Sequence, residues 1–142
     1  MLNEIIFEER KILREFFKEN LSDERPIESK VRWLLKFVGV DPANVGYDYI
    51  YEAILLILKD KNYLKGITKV LYPDIAKKFE TTPSRVERAI RHSSELAFSM
   101  DISEEHKKIK IFIFGVLGQK DLVANSNLLA GIVSFIKEYI NL

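Results

Sequence analysis

The chain has 142 residues, of which 47% are hydrophobic and 30% charged, and its net charge is +1. That length and composition suit one domain with a hydrophobic core and exclude disorder along the whole chain. The absence of cysteine removes disulfides and thiolate metal sites.

The first segment, residues 3 to 20, "NEIIFEERKILREFFKEN", sets Ile5, Ile6, Ile12, Leu13, Phe16 and Phe17 at helical spacing, so an amphipathic helix is expected. It is too acidic for a signal peptide. No later run approaches the roughly 18 to 20 apolar residues of a membrane span. A cytoplasmic protein without a membrane partner is expected. "LSDERPIES" contains Pro26 and reads as a linker, which divides the chain into residues 1–28 and a domain over 29–142. "SKVRWLLKFV" (29–38) is a short helix ended by Gly39. "DPANVG" is a loop. "YDYIYEAILLIL" (47–58) is a strongly apolar helix and the expected centre of the core, with Tyr47, Tyr49 and Tyr51 serving packing and capping. "KDKNYLKG" is a charged connection.

"ITKVLYPDIAKKFETTPSRVERAIRHSSELAFSM" reads as helix, short turn, helix. Pro73 suits a first turn, and Ile75, Ala76 and Phe79 are expected to face inward. A left-handed residue is expected near Glu80. Thr81 or Thr82 caps the next helix, with Pro83 in its first turn. "KIKIFIFGV" alternates like a strand but lacks a partner strand, and is read as helical. "NSNLLAGIVSFIKEYINL" closes the chain as a helix capped by Asn125 or Ser126, with apolar residues at 128, 129, 132, 133, 136 and 140.

Charge is distributed unevenly. Between Lys59 and Arg91 stand nine basic residues and four acidic ones, so this stretch is positive and the remainder is negative. Wound at about 100° per residue, Val86, Ala89, Ile90, Ser93, Leu96 and Ala97 share an arc of roughly 120°. Arg85, Arg88, Arg91 and His92 share the opposite arc, and Glu87 lies at its edge. One face is suited to a core and the other to an anion. With the preceding helix as a brace, this is the spacing of a helix-turn-helix, whose second helix enters the DNA major groove. Arginine pairs with guanine O6 and N7, and glutamate accepts from cytosine N4. Ser84, Arg85, Glu87, Arg88, Arg91 and His92 are therefore candidate contacts to double-stranded DNA, and Lys77 and Lys78 are candidate contacts to its phosphates.

The run "GITKVLYPDIAKKFETTPSRVERAIRH" (Gly66 to His92) resembles the C-terminal effector domain of the stage zero sporulation protein A family, the sporulation master regulators of endospore-forming bacteria. "GYDYIYEAI" (Gly46 to Ile54) is similar to the family's Gly-Tyr-x-Tyr-Leu-x-Glu-Ala-Ile pattern, and Phe114-Gly115 and Asn125-Ser126 match more loosely. The resemblance covers about residues 30 to 142. It implies an all-α bundle of about six helices, here with an additional N-terminal helix, binding boxes with a GTCGAA-like core. It implies that Glu87 and Arg88 read bases and that Arg85, Arg91 and His92 contact bases or backbone. Two-domain relatives carry a phosphorylatable receiver, for which the roughly 30 preceding residues leave no room, so binding independent of phosphorylation is expected. The family's Trp-Ser-Arg-Gly is "FSMD" here (Phe98 to Asp101), and the following helix, which borders the RNA polymerase sigma-factor surface in the family, is rewritten as "ISEEHKKIKIFIF".

No other motif carries chemistry. His92 and His106 stand 14 residues apart without a carboxylate partner at metal-ligand spacing. "GVLGQK" (Gly115 to Lys120) lacks the full phosphate-loop pattern. No nucleophile-and-base arrangement is visible, so neither an enzyme nor a cofactor is expected. The leading expectation is a DNA-binding transcription regulator in the nucleoid. The alternative is an interaction protein that keeps this fold and binds a protein partner. The N-terminal helix either folds back on its own domain or pairs two chains into a homodimer.

Overall fold

Apolar residues recur at helical spacing along the chain, and all regular structure among the described residues is helical. The computed structural model describes residues 8, 11, 12, 14–19, 24–99, 104 and 124–139. Its elements are α1 (residues 14–19), α2 (Ile27–Val38), α3 (Val45–Lys59), a 3-10 turn (Lys61–Lys65), a π turn (Ile67–Leu71), α4 (Tyr72–Lys78), α5 (Pro83–Ser99) and α6 (Asn125–Tyr139). The fold is an all-α bundle. None of the described helices is long and apolar enough to cross a membrane.

The core is arranged around α3. Ile50, Ala53, Ile54 and Ile57 are fully buried because α2, α4, α5 and α6 all pack on this helix. Tyr47 and Tyr49 are buried in the same layer, and Tyr51 is half-buried beneath the Arg32 guanidinium, 3.9 Å from the ring centroid. The tyrosines thus pack, as expected, but they do not cap the helix: α3 begins earlier, at Val45, after Asn44. Helix α2 stops at Gly39, whose φ of 93° is left-handed. The Gly39 N–H reaches the Leu35 and Lys36 carbonyls, and the Val40 N–H reaches Leu35 at 3.0 Å. This closing motif satisfies the last carbonyls and turns Val40 into the core.

The charged connection after α3 is more ordered than its composition suggests. Asp60 accepts from the Asn62 N–H at 3.0 Å and so starts the 3-10 turn. Residues 67–71, expected as the beginning of a regular helix, instead form a π turn. Both the Val70 and the Leu71 N–H groups reach the Gly66 carbonyl, at 2.8 and 3.0 Å.

Helix α1 lies against its own domain. Phe17 is fully buried, its ring edge-on to Phe135 with centroids 4.8 Å apart and to Trp33 at 5.9 Å. Phe16 packs on Trp33 and Phe37 at 6.2 and 6.0 Å, and Arg14 lies over the Tyr139 ring. Of the two arrangements open to this helix, Phe17 adopts the fold-back. Ile12 remains 63% exposed. Ile5, Ile6, Leu13, His106 and the "KIKIFIFGV" and "GVLGQK" segments lie outside the described residues.

Candidate nucleic-acid interface

The turn between α4 and α5 is set by backbone bonds. The Phe79 N–H reaches the Ile75 carbonyl at 3.1 Å, and the Thr81 N–H reaches back to Ala76 at 2.9 Å. Such a six-residue closure needs a left-handed residue inside it. Glu80 takes that place with φ 54°, the sole positive φ among described non-glycine residues. Thr82 then starts α5. Its Oγ1 accepts from the Arg85 N–H at 3.3 Å and its carbonyl accepts from the Val86 N–H at 3.1 Å, with Pro83 as the first helical residue. Thr82, rather than Thr81, is the cap.

Helix α5 is divided as its sequence implies. Val86, Ile90, Ser93 and Ala97 are buried, with Ala89 and Leu96 at the margin. Ile75 and Ala76 of α4 are also buried, and α4 and α5 pack on each other. On the opposite side Ser84, Arg85, Arg88, Arg91 and His92 are all exposed. Arg85, Arg88 and His92 form no ion pair among the described residues. Arg91 lies 3.6 Å from Glu87 one turn back, a loose pair between partly exposed groups. Exposed pairs of this kind contribute little and yield readily to a stronger anion. The result is a row of guanidinium groups along one helix face, opposite the face that fixes the helix to the core.

One expectation for α4 is corrected. Phe79 does not face inward: it is 38% exposed, because α4 ends at Lys78 and Phe79 already belongs to the turn, its ring edge-on to Tyr49 at 5.2 Å. Lys77 and Lys78 are not equivalent. Lys77 is exposed and unpaired among the described residues. Lys78 donates to Glu52 on α3 at 2.8 Å and passes near the Phe79 ring, so its charge is already partnered.

Two supporting residues have roles that their local sequence does not reveal. Gly46, near the start of α3, lies where α5 crosses closest: a Cβ there would collide with the Ala89 carbonyl and Ser93 Oγ. Asn125 or Ser126 was expected as the cap of α6, but both lie within the helix. Asn125 is its first residue, and its side-chain amide donates to the Glu87 carbonyl and the Tyr72 hydroxyl, each at 3.1 Å. Beside it opens a cleft of about 420 Å³ lined by Ile67, Thr68, Tyr72, Arg91 and Glu95. The Tyr72 phenol is pushed above its ordinary pKa, chiefly by burial and further by Glu87, against the hydrogen bond from Asn125. For Gly46 the sequence signal was the family-like pattern around it, and for Asn125 it was the Asn-Ser pair.

Residues 31–136 match the family described as Sporulation initiation factor Spo0A C terminal. The match spans the bundle from α2 into α6 and contains the turn, the exposed arginines and both supporting residues. The chain therefore belongs to the Spo0A C-terminal family, a family of DNA-binding domains.

Proposed function

We propose that this chain is a sequence-specific DNA-binding transcription regulator that recognises boxes with a GTCGAA-like core by placing the N-terminal half of α5 in the major groove. The observation that carries the reading is the division of α5: Arg85, Arg88 and Arg91 are exposed in a row while Val86 and Ile90 hold the helix rigidly from behind. In this reading Arg88 bonds a guanine through O6 and N7, and Glu87 accepts from a cytosine N4–H once Arg91 has moved to phosphate. Ser84, Arg85 and His92 contact the flanking backbone or bases. Lys77 meets phosphate, whereas Lys78 does so only by leaving Glu52.

Pairing of two chains through α1 has less apolar surface at its disposal than the sequence suggests, because Phe17 is inside its own domain. Part of Phe16 in α1, and Ile12 just before it, are the large apolar groups still exposed there among the described residues. A sigma-factor contact would border residues 102–114, of which only Glu104 is described, and it forms no part of the reading. The test is titration of a fluorescent duplex carrying the box against a scrambled duplex of equal length and salt. Tighter binding of the box supports sequence-specific recognition. Equal binding of both rejects it in favour of general affinity for nucleic acid, and no binding of either favours a protein-interaction module.

A further inference from the structure

The two amide hydrogens of Asn125 reach two different helices of the helix-turn-helix. One meets the Glu87 carbonyl on α5 and the other meets the Tyr72 hydroxyl at the start of α4, both at 3.1 Å. The orientation of the amide is fixed by chemistry, since a carbonyl can only accept and the nitrogen must face it. Asn125 is joined to a well-anchored element: Leu128, Leu129, Ile132 and Ile136 of the same helix are fully buried. The Glu87 carbonyl belongs to the turn that carries the Glu87 and Arg88 side chains, and its second lone pair is available to a partner outside the helix.

We infer that Asn125 is a positioning residue for base readout, holding the Glu87 turn of α5 in register with α4 and α6. It touches no DNA in this arrangement. It acts on the placement of the side chains that do, and the inference rests on the proposed role of α5. Base-edge hydrogen bonds depend steeply on geometry, whereas phosphate contacts from long flexible side chains do not. Loosening the Glu87 turn therefore lowers binding of the correct box and leaves general DNA affinity in place. A residue that merely stabilised the bundle would lower both together, in proportion to folded protein.

The test uses the full chain with Asn125→Ser. Serine is uncharged and suits a helix start, but it is too short to bridge to α5. Affinity for the box is expected to fall about fivefold, with affinity for the scrambled duplex and the melting temperature held. With Glu87→Ala already present, Asn125→Ser is expected to add less than a twofold loss, because part of what it positions is gone. Tyr72→Phe, which frees the amide from its second partner while leaving α6 untouched, is expected to lower the same box-to-scrambled ratio by about twofold. An unchanged ratio in both single variants, or fully additive losses in the double variant, overturns the inference. A fall in both affinities that tracks a lower melting temperature assigns Asn125 a structural role only and also overturns it. Absence of any preference in the wild-type chain rejects the proposed function itself. A wild-type preference left unchanged in size by both Asn125→Ser and Tyr72→Phe rejects the positioning role alone.

Discussion

Gly46 and Ser93 meet where α3 and α5 cross, so close that a Cβ on Gly46 would occupy the space of the Ser93 hydroxyl and the Ala89 carbonyl. This contact sets how deeply the back of α5 sits on the core, and hence how far its arginines stand out. Gly46→Ala is expected to destabilise the fold by about 1 to 3 kcal/mol, since backbone on one side of the clash cannot yield. Ser93→Ala should be neutral or stabilising, because the Ser93 Oγ is buried without a hydrogen-bond partner among the described residues. Combining the two should not rescue Gly46→Ala, as the Ala89 carbonyl remains. Urea denaturation of the three variants checks this ordering.

Glu80 holds the left-handed position of the turn at φ 54°. A Cβ-bearing residue other than Asn or Asp is strained there. Glu80→Asn is expected to raise stability by about 0.5 to 1 kcal/mol, or a few degrees in melting temperature, with the DNA preference retained. A clear fall in melting temperature would contradict the assignment of strain to this residue.

Phe17 is fully buried among Trp33, Phe37 and Phe135. Phe17→Ala is expected to cost about 3 to 5 kcal/mol, the usual range for a buried phenylalanine. Thermal denaturation measures it, and light scattering on the same samples reports whether one or two chains are present. A loss below about 1 kcal/mol, too small for a core phenylalanine, would show that α1 does not dock in solution.

What could be read from the sequence was local. The stop at Gly39, the cap and proline that start α5, the left-handed residue at Glu80 and the two faces of α5 each follow from a few adjacent residues. What could not be read was contact at a distance. Asn125 resembles a cap because asparagine precedes an apolar helix, yet its amide bonds residues 38 and 53 positions away. Lys78 reads as one more free cation until Glu52, on another helix, is seen to hold it. Phe79 fits the inward period of α4, but the helix ends one residue too soon. The π turn of residues 67–71 differs from a regular helix by a shift in hydrogen-bond register, which periodicity does not resolve.

Alkaline pH should weaken the fold. The Tyr72 phenol is raised above its ordinary value of 10.0, mainly by burial, and the Tyr63 phenol is raised mainly by its 2.7 Å bond to Asp74. Below about pH 10 both states keep these protons, and stability is whole. Above it the unfolded chain loses protons that the folded chain retains, so stability declines as pH rises. Melting temperatures between pH 8 and pH 11 should fall for the wild type, and less steeply for Tyr63→Phe combined with Tyr72→Phe. Equal slopes would contradict the role given to the two phenols.

The central claim, that α5 reads bases through Arg88, is tested most directly by comparing Arg88→Ala with Lys77→Ala on box and scrambled duplexes across a salt series. Arg88→Ala is expected to lose about 1 to 3 kcal/mol on the box, relax the preference at one guanine and change the scrambled duplex little. Lys77→Ala should weaken both duplexes alike and lower the salt slope by about one phosphate contact. Equal losses on both duplexes for Arg88→Ala would contradict the account.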